Sequence, residues 1–231
     1  MTNQMTKLSL RQRKLFIPIA LIALALALPL IIGVYQHVSW LTVIDAPIVK
    51  LVCSTRPHWL TTVLLVITTL GDPLSVTLIA AAVALLLWWQ RRREQALFVL
   101  SNVLVMSGVN HLLKQWLQRP RPFIADPSIH PLTAAGGFSF PSGHSAGAML
   151  LYGSLILLTY FWPLTKKWAW GLRFGFGAMI FLTGYSRIYV QVHYPTDVAA
   201  GWLLALCGIC LLAYWWWPIL VQTAQQPAPK P

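Results

Sequence analysis

Three polar clusters interrupt a chain that is otherwise strongly apolar: residues 114–122, 140–144 and 186–197. Their residue types suit a phosphate-like anion. Lys114 offers a compact positive charge. Arg121 follows seven positions later, just before Pro122, whose ring disfavours a helical backbone at the residue preceding it. Arg187 adds a second guanidinium, a group that can bind phosphate oxygens in a bidentate way. Ser142 supplies a hydroxyl. The run Phe140-Pro141-Ser142-Gly143-His144 leads directly into an apolar segment, which reads as the start of a helix. The unpaired N–H groups around Ser142, Gly143 and His144 would then face an anion, with the helix dipole in support.

Two histidines fall in these clusters and suit different work. His193 is followed by Tyr194-Pro195-Thr196-Asp197. Pro195 fits the first turn of a helix, which would bring the Asp197 carboxylate close to the His193 ring. A carboxylate on Nδ1–H fixes the tautomer and leaves Nε2 free to attack. His144 could then protonate a leaving oxygen and later activate water. The chemistry is in-line phosphoryl transfer through a phosphohistidine, with the basic residues stabilising charge on the phosphoryl oxygens. The whole chain has five acidic residues and they are scattered, so a carboxylate cluster for magnesium is not expected. Catalysis without a metal or other cofactor is. A single loop arginine or histidine is more often solvated or structural than functional; the weight lies in the joint pattern.

These clusters need elements to carry them, and the composition says what kind. Of 231 residues, 57% are apolar and 10% are charged, against about 25% charged in a soluble domain. The reading is an all-α integral membrane bundle. Six spans are expected, at about 15–35, 74–89, 96–117, 142–162, 168–185 and 196–217, with 59–70 as an approach to the second. Residues 1–14 form a basic N-terminal segment, 15–218 the membrane domain and 219–231 a polar tail. The basic start followed by an apolar run also resembles a signal peptide, but the run is long for one and is read as a retained span. Residues 37–58 read as a loop holding a short interfacial helix.

The excess of 17 Lys and Arg over five acids would suggest nucleic acid in a soluble fold. Here the basic residues sit in short groups between apolar runs, as topology signals do, and no nucleic-acid partner is expected. With the N-terminus inside, eleven basic residues fall on the inner side. Six fall on the outer side: Lys50, Arg56, Lys114, Arg119, Arg121 and Arg187. That obeys the positive-inside bias, and it sends all three polar clusters to the outer face.

Lys114-x6-Arg121-Pro122, Pro141-Ser142-Gly143-His144 and Ser186-Arg187-x5-His193-x3-Asp197 resemble, complete and in order, the three signature motifs of the type-2 phosphatidic acid phosphatase and haloperoxidase superfamily. The resemblance implies His193 as nucleophile, Asp197 as its orienting partner and His144 as general acid and base. It implies Lys114, Arg121, Ser142, Gly143 and Arg187 as phosphate binders. The haloperoxidase members are soluble and hold vanadate, so the bilayer-rich composition favours the bacterial membrane lipid phosphatase branch. The expected substrate is a lipid phosphate or diphosphate, with undecaprenyl diphosphate first, and phosphatidylglycerophosphate or phosphatidic acid as alternatives. A reading of another class is a non-catalytic lipid-phosphate binding or transport protein; the intact nucleophile and carboxylate argue against it.

Other residues carry plainer expectations. Arg119 reads first as an interfacial charge, and substrate contact is the weaker alternative. Asp72 reads as a helix cap or as the partner of a basic residue of the site. Tyr189, Tyr194 and the tryptophans at span ends read as interface anchors. His37, His58, His111 and His130 match no pattern. Cys207 and Cys210 lie one helical turn apart in an apolar run and read as packing residues, with no structural zinc expected. The loop 123–140 has two readings, a flap over the site or simple linkage.

Overall fold

The computed structural model describes residues 2–224, whose regular elements are all helices, with no strand among them. The elements are α1 (Thr2–Tyr35), α2 (Trp40–Cys53), α3 (His58–Leu70), α4 (Pro73–Trp89), α5 (Arg93–Leu117), the single turn α6 (Pro122–Ala125), α7 (Gly143–Leu158), α8 (Lys166–Tyr189) and α9 (Pro195–Ala224). Among the described residues, Gln12–Tyr35, Arg93–Ala125 and Pro195–Thr223 are long and apolar enough to cross a membrane. The pair α3 and α4, bent by 61°, makes a fourth if taken as one broken span. The outward faces of α1 and α4 carry exposed Leu15, Leu21, Ile22, Leu74, Leu78 and Leu85. Such faces are stable against lipid tails and costly against water, and the protein is a membrane protein.

The core sits around α7, which packs against α4, α5, α8 and α9, while α1 lies along α9. Small residues let the helices approach, as is usual without a strong hydrophobic drive between helices in lipid. On α4 the stripe Val76, Ala80, Ala84 and Leu87 is buried at helical spacing. Cys207 and Cys210 are buried among the same core residues, as packing residues would be.

Besides the C-terminal ends of α7, at Leu158 rather than 162, and of α8, at Tyr189 rather than 185, three boundaries differ from the sequence expectation. The polar stretch after Thr2 and the first apolar run share one helix, α1. The stretch 59–70 is a helix of its own, α3, and Gly71 follows it at a close contact. A Cβ on Gly71 would collide with the methyl group of Thr183 on α8, so α3 passes α8 closely there. The chain then restarts with Asp72 as the cap of α4, accepting from Leu74 N at 3.0 Å, and Pro73 in the first turn. Finally, α9 continues through Pro218 to Ala224, so the first part of the expected 219–231 tail is helical; its remainder, 225–231, lies outside the described residues.

Candidate active site

The second cluster opens a helix as its sequence suggests, but the Ser142 N–H is paired within the protein and is not left for an anion. Ser142 is the N-cap of α7, extended at ψ 116°, and its Oγ accepts from Ser145 N at 3.3 Å and Ser145 Oγ at 2.9 Å. The Phe140–Pro141 peptide that leads into it is cis. Ser142 N donates to the Asp197 carbonyl at 3.0 Å, which ties the start of α7 to the start of α9. That approach requires Gly201: a Cβ there would lie 2.7 Å from the Ser142 carbonyl oxygen. Around Gly143 the nearest neighbours, Asn110 Nδ2 and Pro73 Cγ, stand off at 3.7 Å from where a Cβ would be.

The third cluster is built by the end of α8 and the start of α9. Arg187 lies in the last turn of α8, and its carbonyl accepts from the backbone N–H of Val192 and His193 at 3.2 and 3.3 Å. Gln191 takes the left-handed backbone, φ 60°, that this tight return needs. His193 is 2% exposed and Asp197 fully buried. The Asp197 Oδ2 meets His193 Nδ1 at 3.3 Å and accepts from Tyr194 N at 2.9 Å. With Nδ1–H directed at the carboxylate, Nε2 carries the lone pair, and Arg121 Nη1 lies 3.2 Å from it. The tautomer follows from these partners. Burial pushes His193 well below its ordinary value of 6.5, and Lys114, Arg121 and Arg187 push it the same way. The ring is therefore held neutral.

The cations converge on this histidine from separate elements. Arg121 stands just before α6, extended at ψ 158°, with Pro122 opening the turn. Its guanidinium also donates to the carbonyls of Gly136 at 2.8 Å, Gly137 at 3.1 Å and Val192 at 2.9 Å. Lys114 Nζ, in the last turn of α5, donates to the carbonyls of Phe138 at 2.7 Å and Ser139 at 3.2 Å. The loop between α6 and α7 thus lies over both cations and is also tied back by Ser139 N to the Arg119 carbonyl at 2.8 Å. Arg187 Nη1 donates to Thr68 Oγ1 of α3, while its buried Nε has no partner. His144 Nε2 lies 3.6 Å from Asp72 Oδ1, so both expected roles of Asp72 are realised, as a cap and beside a site residue. All eight expected site residues lie at this one end of the bundle, and the arrangement can hold an anion of high charge beside a neutral imidazole.

Two expectations change. Arg119 is not an interfacial charge: it donates to Asp197 Oδ1 at 2.6 Å, Asp45 Oδ2 at 2.8 Å and Thr196 Oγ1 at 2.8 Å, and its guanidinium covers the Tyr194 ring at 4.0 Å. Tyr189 is not an interface anchor; it is fully buried and its hydroxyl meets Thr61 Oγ1 at 2.7 Å. Sequence reasoning missed Asp45 and Thr68. Asp45 sits within a segment that reads as a loop, and its only sequence signal is scarcity, one of five acids in a membrane chain.

Residues 95–220 match the PAP2 superfamily. The chain is 31% identical over 183 residues to phosphatidylglycerophosphatase B of Bacillus subtilis, covering 77% of this chain and 85% of that protein. It is 35% identical to an undecaprenyl-diphosphatase of Bacillus subtilis over 42% of this chain and 46% of the other. The crystal structure of a transmembrane PAP2-type phosphatidylglycerolphosphate phosphatase from Bacillus subtilis superposes with a TM-score of 0.70 at 28% identity, covering 84% of this chain and 93% of that one. Family match, shared fold and the three convergent motifs agree, and this chain belongs to the PAP2 superfamily.

Proposed function

We propose that this PAP2 phosphatase hydrolyses the terminal phosphate of a membrane lipid, with undecaprenyl diphosphate as the first candidate and undecaprenyl phosphate as the product. The observation that carries the reading is the buried His193, with Nδ1 on Asp197 and Nε2 beside Arg121. In this mechanism Nε2 attacks the terminal phosphorus in line. The bond from phosphorus to the lipid-side oxygen breaks, and His144 gives that oxygen a proton. His144 then takes a proton from water, the water oxygen attacks phosphorus, the P–N bond breaks and inorganic phosphate leaves. Lys114, Arg121, Arg187, the Ser142 hydroxyl and the N–H groups of Gly143 and His144 in the first turn of α7 bear the charge on the phosphoryl oxygens throughout.

The substrate must reach this end of the bundle from the bilayer. Six crossings by α1, the bent pair α3 and α4, α5, α7, α8 and α9 would leave the site at the outer face of the cell membrane with both termini inside. The positive-inside distribution supports that orientation, and an outward site suits recycling of a lipid carrier. Phosphatidylglycerophosphate is the second reading, favoured by the longer match to the Bacillus subtilis phosphatidylglycerophosphatase B.

Purified protein in EDTA is expected to release phosphate from lipid substrates, and His193→Ala to release none. Activity retained in the variant overturns the nucleophile, and a strict magnesium requirement overturns the metal-free mechanism. Relative turnover on undecaprenyl diphosphate and phosphatidylglycerophosphate decides between the two lipids. A parent inactive on every lipid phosphate would favour a binding protein instead.

A further inference from the structure

Asp197 has two faces. Its Oδ2 serves His193 and the Tyr194 backbone, and its Oδ1 accepts from Arg119 at 2.6 Å. Arg119 does not end there. Its other terminal nitrogen donates to Asp45 Oδ2 at 2.8 Å, and the Asp45 carboxylate also accepts from Thr196 N and Thr196 Oγ1, both at 2.9 Å. Asp45 is 3% exposed although α2 presents Trp40, Val43, Ile44, Ile48 and Leu51 outward. An otherwise lipid-like helix thus turns one carboxylate inward, onto a guanidinium and the first turn of α9.

We infer that Asp45 and Arg119 form a charge clamp that fixes the orientation and charge of the Asp197–His193 pair, acting as positioning residues rather than on substrate. Both terminal nitrogens of Arg119 are engaged, by two carboxylates and a hydroxyl. A buried carboxylate facing one neutral imidazole would be undercompensated. Arg119 supplies the missing positive charge, and Asp45 supplies the counter-charge that keeps Arg119 from overcompensating. The planar fork of arginine is the group that can bridge two carboxylates in this way. The nucleophile assignment comes from the function proposed above, whereas the clamp itself has a readout that needs no substrate.

The two members predict effects of opposite sign. The groups facing His193 are Lys114 on α5, Arg121 before α6, His144 on α7, Arg187 on α8 and Asp197 on α9. Behind Asp197 stand Arg119 and, on α2, Asp45; Asp72 lies beyond, beside His144. Arg119→Gln leaves the Asp197 charge undiluted and favours the imidazolium. Asp45→Asn leaves the Arg119 charge undiluted and disfavours it.

The test is the titration of His193 in detergent-solubilised, ¹⁵N-histidine-labelled protein, followed by long-range ¹H–¹⁵N correlation and assigned with His193→Gln. Arg119→Gln is expected to raise the midpoint by about one unit, Asp45→Asn to lower it, and Arg119→Lys to return it toward the parent. With lipid substrate, the acid limb of kcat/KM should move in the same two directions, and kcat should fall about tenfold or more with KM unchanged. Thermal unfolding identifies variants that have lost the fold. Midpoints that stay put, or move together in one direction, in folded variants overturn the clamp. Opposite shifts in the two variants, with a parent that turns over no lipid phosphate, keep the clamp and remove the proposed function.

Discussion

At the residue scale the proposed chemistry rests on a histidine kept neutral and aimed. His193 is buried among three cations, which disfavours its protonated form. The sign of the stability effect follows. Below about pH 6.5 the unfolded chain takes up a proton at this ring that the folded chain refuses, so stability is full above that pH and falls as pH drops. Thermal unfolding in detergent should show this loss between about pH 7 and 5, and His193→Gln should remove part of it. His144→Gln should cost about 10²- to 10⁴-fold in kcat, the range for losing a general acid and base. Asp197→Asn should cost a comparable factor by allowing the wrong tautomer of His193. Both are read from phosphate release against the parent. The grouping of the eight candidate residues was legible in the sequence because their spacing survives as a one-dimensional pattern. Arg119 and Asp45 were not, because 74 positions separate them and their pairing is a property of packing alone.

At the element scale the site depends on how tightly α9 meets the start of α7. Gly201 permits the contact, since a Cβ there would press on the Ser142 carbonyl rather than on a flexible side chain. Gly201→Ala should destabilise by about 1–3 kcal/mol and lower turnover, because relief requires the α7 N-terminus to shift. Gly171 on α8 has open space, with no atom within 4 Å of where its Cβ would lie. Gly171→Ala should therefore be neutral or stabilise by up to ~1 kcal/mol through helix propensity. Paired unfolding curves of the two variants check both signs. The caps were legible from the residues themselves: Asp72-Pro73, Ser142-Gly143 and Pro195 each open a helix where the local chemistry says one should open. The close pass of Gly71 by Thr183 was not, because it comes from α8, more than a hundred residues away.

At the scale of the whole molecule the protein is a helical membrane enzyme with the eight candidate site residues collected at one end of an apolar bundle. The proposed outward orientation makes a direct prediction. A cysteine at Ser128, in the exposed loop before α7, should react with a membrane-impermeant thiol reagent added outside intact cells. Labelling only after the inner face is opened would reverse the orientation. By itself the sequence determined the membrane class, the helical fold and the three motifs, because hydropathy, helix caps and residue spacing are local quantities that need no partner. Only the tertiary structure decided what Arg119 and Asp45 do and why Gly71 and Gly201 are glycines. Each of these is set by contacts between segments far apart in the chain, whose geometry is fixed only when the helices pack.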